Sequence, residues 1–136
     1  MGMLNFEIIT PEKLLVQEEV DMVEAMGELG EFGILPGHIK FLTNIGIGEI
    51  RYMKDGRTRH IATSGGFGEV IEDKITFLVD TAEFAEEIDL ERAQNAKERA
   101  ELNLKEISMN EIDEYRIHEL ALQRAVSRIS AASKKL

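Results

Sequence analysis

Near residue 88 the hydrophobic period of the chain changes from two to between three and four, and one kind of regular element cannot carry both. Before that point, segments 3–10, 20–26, 47–53, 58–64, 67–72 and 75–80 are short, alternating and rich in β-branched residues, and turn residues separate most of them. Asp55-Gly56 supplies two residues that tolerate positive φ, which predicts a tight I′ hairpin between 47–53 and 58–64. Many short strands with no helical stretch between them predict a small antiparallel sandwich or barrel. Beyond residue 88, Ala93, Ala96, Ala100, Leu104 and Ile107 recur at three and four residues, and Tyr115, Leu122, Val126, Ile129 and Ala132 at three, four and seven. Each series draws one apolar stripe on a helix. Ser108-Met109-Asn110-Glu111 has the S-x-x-E spacing of a capping box, which predicts the start of the second helix there. Helices joined by so short a turn lie antiparallel. An alanine-rich stripe lets backbones approach but buries little area, so at ~25 cal/mol per Å² the hairpin is a detachable, marginally stable element.

Charge divides at the same place. The net charge is -10, yet residues 1–87 hold 7 Lys and Arg against 17 Asp and Glu, whereas residues 88–136 hold 9 of each. From Tyr115 onward Arg116, Arg124, Arg128, Lys134 and Lys135 face the single acid Glu119. An acidic body with a basic tip argues against nucleic-acid binding and points the tip toward an anionic ligand or an acidic protein surface. There are no cysteines, so disulfides and thiolate metal sites are excluded. No apolar run approaches the ~20 residues of a membrane span, and the N-terminus lacks a signal-peptide pattern, so the expectation is a soluble, cytoplasmic chain.

Catalytic signals are absent. Neither the glycines from Gly27 to Gly37 nor Gly65-Gly66-Phe67-Gly68 are followed by the Lys and hydroxyl of a P-loop. His38, His60 and His118 have no metal-ligand spacing, and Ser64 before Gly65-Gly66 lacks the G-x-S-x-G of a nucleophile elbow. The helices offer more. Asp89-Leu90-Glu91-Arg92-Ala93 opens the first, Arg99 shares a face with Arg92, and Arg124 and Arg128 share a face of the second. If these four guanidiniums converge, an anion must lie between them, and arginine forks suit phosphate oxygens. Spacing alone favours a plainer arrangement, in which Asp89 caps a helix and the arginines form solvated faces with Glu91, Glu98 and Glu101.

Three separated motifs carry a resemblance. Gly30-Glu31-Phe32-Gly33-Ile34-Leu35-Pro36-Gly37-His38, Ser64-Gly65-Gly66-Phe67 with Glu69-Val70, and Ile88-Asp89-x-x-Arg92-Ala93 fall in the order and spacing of the epsilon subunit of bacterial F-type ATP synthase, and resemble its ATP-binding, bacillus-like type. The resemblance implies an α+β fold: an N-terminal antiparallel β-sandwich of about ten strands, residues 1–84, and a C-terminal two-helix hairpin, residues 85–136. It implies a non-catalytic rotor subunit of the central stalk, peripheral on the cytoplasmic face of the cell membrane, touching the membrane only through its complex. The sandwich would bind the gamma subunit and the c-ring, with Glu31 and His38 in the docking segment that faces the c-ring. The hairpin, when extended, would reach the alpha and beta subunits and inhibit ATP hydrolysis. When folded it would hold ATP as a regulatory ligand, with or without Mg, through Glu83, Asp89, Arg92, Ala93, Arg99, Arg124 and Arg128. A structural stalk subunit with an inert hairpin and a free-standing nucleotide-sensing adaptor are the alternatives.

Overall fold

A computed structural model describes residues 3–37, 40–108 and 110–134. Alternation in the first part becomes ten strands: β1 (Leu4–Ile9), β2 (Leu14–Val20), β3 (Met22–Gly27), β4 (Gly30–Ile34), β5 (Phe41–Ile45), β6 (Gly48–Lys54), β7 (Arg57–Thr63), β8 (Gly66–Ile71), β9 (Lys74–Val79) and β10 (Ala82–Phe84). They form two five-stranded sheets, ordered β2-β1-β9-β8-β5 and β10-β7-β6-β3-β4. All pairings are antiparallel except β1 with β9. Those two strands are far apart in sequence, so no tight hairpin dictates their direction and a parallel pair is allowed. Inward side chains of both sheets fill the space between them. Phe6 stands edge-on to Tyr52 and Phe77, with centroids 5.6 and 5.3 Å apart, and Leu4, Ile8, Val20, Val23, Ile34, Ile50, Ile61 and Ile75 complete the buried layer.

Turn chemistry fixes the strand ends. Asp55 and Gly56 adopt φ of 51° and 78°, the predicted I′ turn. Glu72 and Asp73 make a second such turn at 48° and 63° without a glycine, and Asp73 Oδ1 accepts from the backbone N–H of Gly37 at 2.7 Å. The Ser64-Gly65-Gly66 segment, which carries the chain from one sheet to the other, is built on close approach. A Cβ on Gly65, whose φ is 105°, would lie 2.7 Å from the carbonyl oxygen of Ile45, and one on Gly66 would lie 2.0 Å from that of Leu78.

Residues 30–37, the first glycine-rich motif, are partly strand and partly irregular. Gly30–Ile34 is β4, which pairs with β3 through Gly27–Gly30, and the irregular part is Leu35–Gly37. Packing accounts for Gly33, where a Cβ would meet the methyl of Met22 at 3.0 Å, while Gly30 and Gly37 lie in open space at φ of 117° and 85°.

After a single 3₁₀ turn, Ala85–Glu87, follow α1 (Leu90–Glu106) and α2 (Ile112–Ala132). Asp89 caps α1, its Oδ1 accepting from the N–H of Arg92 at 3.1 Å. The capping box expected at Ser108 is not formed. Ser108 Oγ accepts from the N–H of Asn110, and Glu111 occupies the N-cap position of α2 without a side-chain bond. Glu111 therefore lies outside the helix, where it cannot reach back as the box requires. Ala93 packs with Ala131 and Ala132, while Asn103 Nδ2 meets His118 Nδ1 at 3.3 Å, so the hairpin is antiparallel. Its second stripe is displaced from the expected one: Val126 is 45 % exposed and Ala125 is buried. The reason is that α2 packs on α1 and on the second sheet, so two narrow contact lines replace one stripe.

Tyr52 links core to edge. Its hydroxyl donates to Glu18 Oε2 at 2.7 Å, and burial first, then the bond to Glu18 and its charge, raise its pKa far above the ordinary 10.0. Above pH ~10 the unfolded chain releases this proton while the folded chain retains it, so stability is present below that pH and falls as pH rises. Denaturant midpoints measured from pH 8 to 11 should show this fall, and Tyr52→Phe should remove the part due to residue 52.

Candidate functional site

Three regions of the surface have the chemistry to receive another molecule. The first is on α1, where Arg92, Asn95 and Arg99 recur at three and four residues and line a depression with Asp89 and Glu91. The N-cap role of Asp89 anchors one end of it. Among the described residues neither Arg92 nor Arg99 enters an ion pair. Ala93, on the other side of the same turn, is fully buried against Ala62, Ile88, Ala131 and Ala132. It is the small residue that brings the helices together.

The four arginines do not line one depression. Arg128 is drawn to Glu83 on β10, to which its Nε donates, with Nη2 to Oε2 at 3.4 Å. Arg124 is exposed and outside the lining of the α1 depression. Electrostatics accounts for this separation: like charges spread apart, and Arg128 is held by the carboxylate of Glu83. Of the seven residues expected to hold a nucleotide, Asp89, Arg92 and Arg99 thus share a depression and Glu83 and Arg128 share an ion pair.

The second region lies on the outer face of the first sheet. Register aligns Leu14 with Ile9, Ile9 with Leu78, and Leu78 with Phe67, and Leu42 lies one diagonal step away on β5. Leu42, Phe67, Leu78 and Leu14 are 71, 57, 52 and 48 % exposed, so an apolar band crosses this face. Glu31, expected to meet a partner, is on the other sheet, where its carboxylate pairs with Arg51 Nη2. His38 lies outside the described residues.

The third region is where α2 meets the second sheet, and sequence reasoning missed its main residues. Glu49 on β6 accepts from Lys134 Nζ at 2.7 Å through Oε2, and its Oε1 is bonded to His60 Nδ1 on β7. These three residues are 85 positions apart at most, and no spacing rule joins them; only strand register does.

Comparison with known proteins follows the same division of the chain. The family described as ATP synthase, Delta/Epsilon chain, beta-sandwich domain matches residues 3–85, and that described as ATP synthase, Delta/Epsilon chain, long alpha-helix domain matches residues 86–133. The chain belongs to the ATP synthase delta/epsilon family. Relatives in this family include the ATP synthase epsilon chains of Geotalea uraniireducens and Geotalea daltonii, 52 % and 50 % identical over 131 residues that make up 96 % of this chain and 94 % of each relative. The ATP synthase epsilon chain of Nitratidesulfovibrio vulgaris is 48 % identical over 93 % of this chain and 92 % of its own length. A chain in the Euglena gracilis mitochondrial ATP synthase structure, comprising OSCP, F1 and c-ring, shares the fold at a TM-score of 0.84. It is 22 % identical, with 96 % of this chain and 82 % of that one covered. The ten-strand sandwich followed by a helical hairpin is therefore the delta/epsilon fold.

The Glu83–Arg128 pair is about a quarter to a third exposed, so its coupling is that of a screened pair, about 1 kcal/mol. A double-mutant cycle with Glu83→Gln and Arg128→Gln, read by denaturant unfolding, should give that coupling and fade in molar salt.

Proposed function

We propose that this chain is the epsilon subunit of an F-type ATP synthase, a non-catalytic component of the central stalk that couples c-ring rotation to the catalytic head. The observation that carries this reading is the near 50 % identity, over almost the full length of both chains, to proteins named ATP synthase epsilon chain. The sandwich, residues 1–84, binds the gamma subunit and the c-ring. The apolar band from Leu14 to Phe67 and Leu42 supports this role, because a face of that kind on a soluble domain needs a covering partner. Glu31 and His38 contribute to the c-ring contact. The subunit is peripheral on the cytoplasmic face of the membrane and is held there by its complex; among the described residues no helix is long and apolar enough to cross a bilayer.

The hairpin, residues 85–136, regulates. Folded, it binds ATP, with or without Mg, through Glu83, Asp89, Arg92, Ala93, Arg99, Arg124 and Arg128. Extended, it enters the alpha and beta ring and blocks ATP hydrolysis. Arg92 and Arg99, unpaired beside Asp89, support the nucleotide reading: two guanidiniums can fork a polyphosphate while Asp89 takes a hydrogen bond from a ribose hydroxyl or adenine amine. Because the nucleotide binds only the folded form, it shifts the equilibrium by RT ln(1 + [ATP]/Kd), about 2.7 kcal/mol at a hundredfold excess over Kd. A hairpin docked mainly through alanines is weak enough to respond.

Two measurements test these statements. In reconstituted ATPase, deletion of residues 88–136 should raise hydrolysis at low ATP; an unchanged rate rules out the inhibitory role and leaves the stalk role intact. Calorimetric titration of the isolated chain should show saturable ATP binding that Arg92→Ala weakens at least tenfold, a loss of about 1.4 kcal/mol for one charge-assisted contact. Absence of heat at millimolar ATP, with and without Mg, would end the nucleotide reading.

A further inference from the structure

Three residues stand in one cross-strand row on the outer face of the second sheet: Glu49 on β6 is opposite Ala62 on β7, which is opposite Glu83 on β10. Each carries a contact to the C-terminal end of α2 or to the turn just beyond it. Glu83 holds Arg128, Ala62 packs in the cluster with Ala131 and Ala132, and Glu49 holds Lys134, two residues past the end of the helix. The spacings agree. Two strand separations of ~4.8 Å put the acids about 10 Å apart, and six residues at a helical rise of ~1.5 Å, which the αR conformation of Ser133 prolongs past Ala132, put the two cations about 9 Å apart. The middle position must be small, since a longer side chain at 62 would lift the helix away from both acids at once.

Glu49 differs from Glu83 in two ways. Its side chain is only 10 % exposed, against 32 % for Glu83, and its second oxygen is already bonded to His60 on the neighbouring strand. His60 therefore fixes the carboxylate before α2 arrives, which lowers the entropy lost when Lys134 is captured. Glu49 also lies outside the set of residues proposed to hold nucleotide.

From this geometry we infer that Glu49–Ala62–Glu83 is a docking cradle specific for the C-terminal segment of α2, and that Glu49, positioned by His60, is a latch that holds the folded hairpin without any ligand. Glu83 and Arg128 serve the proposed nucleotide site; Glu49 and Lys134 set how readily the hairpin leaves the sheet in its absence. The latch acts on the turn just past the end of α2, next to the part of a helix that frays first, so its release would start the detachment of α2 from its end.

The test is hydrogen exchange on the full chain without nucleotide, which makes it independent of the ATP reading. Exchange at amides 125–132 should be about fivefold faster in Glu49→Gln and in Lys134→Gln, and the double variant should be no faster than either single one. His60→Ala should give a smaller acceleration that disappears in the Glu49→Gln background, whereas Glu69→Gln, which removes an exposed charge from the first sheet, should change nothing. Unchanged exchange in Lys134→Gln, additive effects of the two latch variants, or equal acceleration by Glu69→Gln would overturn the proposal. If Glu49→Gln also speeds exchange at amides 50–53, β6 itself is disturbed; Lys134→Gln, which leaves the sheet untouched, then decides alone.

Discussion

The contact on which the arrangement of the chain depends is the one between Ala62 and the alanines of α2. Each half of the molecule can satisfy its own backbone hydrogen bonds, the sandwich in its ladders and the hairpin in its helices. What relates them is a cluster of Ala62, Ile88, Ala93, Ala131 and Ala132 with Ile129 at its margin. Methyl groups allow backbones to come close but remove little surface from water. At ~25 cal/mol per Å², such a cluster stabilises much less than the Phe6, Tyr52 and Phe77 core between the sheets. The sandwich is thus the permanent part and the docking of the hairpin the adjustable one, and two ion pairs of ordinary strength are enough to matter at the boundary.

Much of the fold was legible in the sequence because the signals were local. Five of the six expected strands alternate, while β7 buries Ile61, Ala62 and Thr63 in a row because Ala62 faces α2; Asp55-Gly56 announces its turn, and the first helical stripe buries Ala93 and Ala100 as its spacing requires. The strands that periodicity missed break the rule for identifiable reasons. In β2 the face that buries Val16 and Val20 also carries Glu18, which reads as polar until Tyr52 is seen to donate to it. In β4 glycines stand where alternation expects side chains, Gly33 because Met22 fills the space and Gly30 because its φ is 117°. β10 has three residues, too few for any period. The I′ turn at Glu72-Asp73 was invisible for the opposite reason: it has no glycine, Glu rarely adopts positive φ, and Asp73 also accepts from the N–H of Gly37.

The candidate site was legible by type and not by place. Arginines spaced at helical intervals beside an N-cap aspartate can be read from one dimension, and Arg92 and Arg99 do share a depression with Asp89. Whether Arg124 and Arg128 join them depends on the crossing of two helices and on what lies beneath. The carboxylate of Glu83, brought in by a short strand from the other sheet edge, captures Arg128. Glu49, His60 and Lys134 give no sequence signal at all, since their meeting requires the β6–β7 register and the docking of α2 together.

These placements give the charge asymmetry of the chain a physical meaning. Residues 1–87 hold 17 acids against 7 basic residues, and the two acids that the end of the hairpin uses lie on opposite sides of a neutral, methyl-sized position. The basic C-terminal end of the hairpin is attracted over a distance by the acidic body, but it can settle only where a small residue lets it close on both carboxylates. Long-range attraction chooses the partner, and Ala62 chooses the register. α2 as a whole is balanced, with Arg116, Arg124 and Arg128 against Asp113, Glu114 and Glu119, but its acids lie in its first half and Glu119 is paired to Arg116. The cationic part is its C-terminal end with Lys134 beyond it, and that is the part that meets Glu83 and Glu49. The docking of this end on the sheet is therefore set by a few kcal/mol of screened ion pairing and methyl contacts.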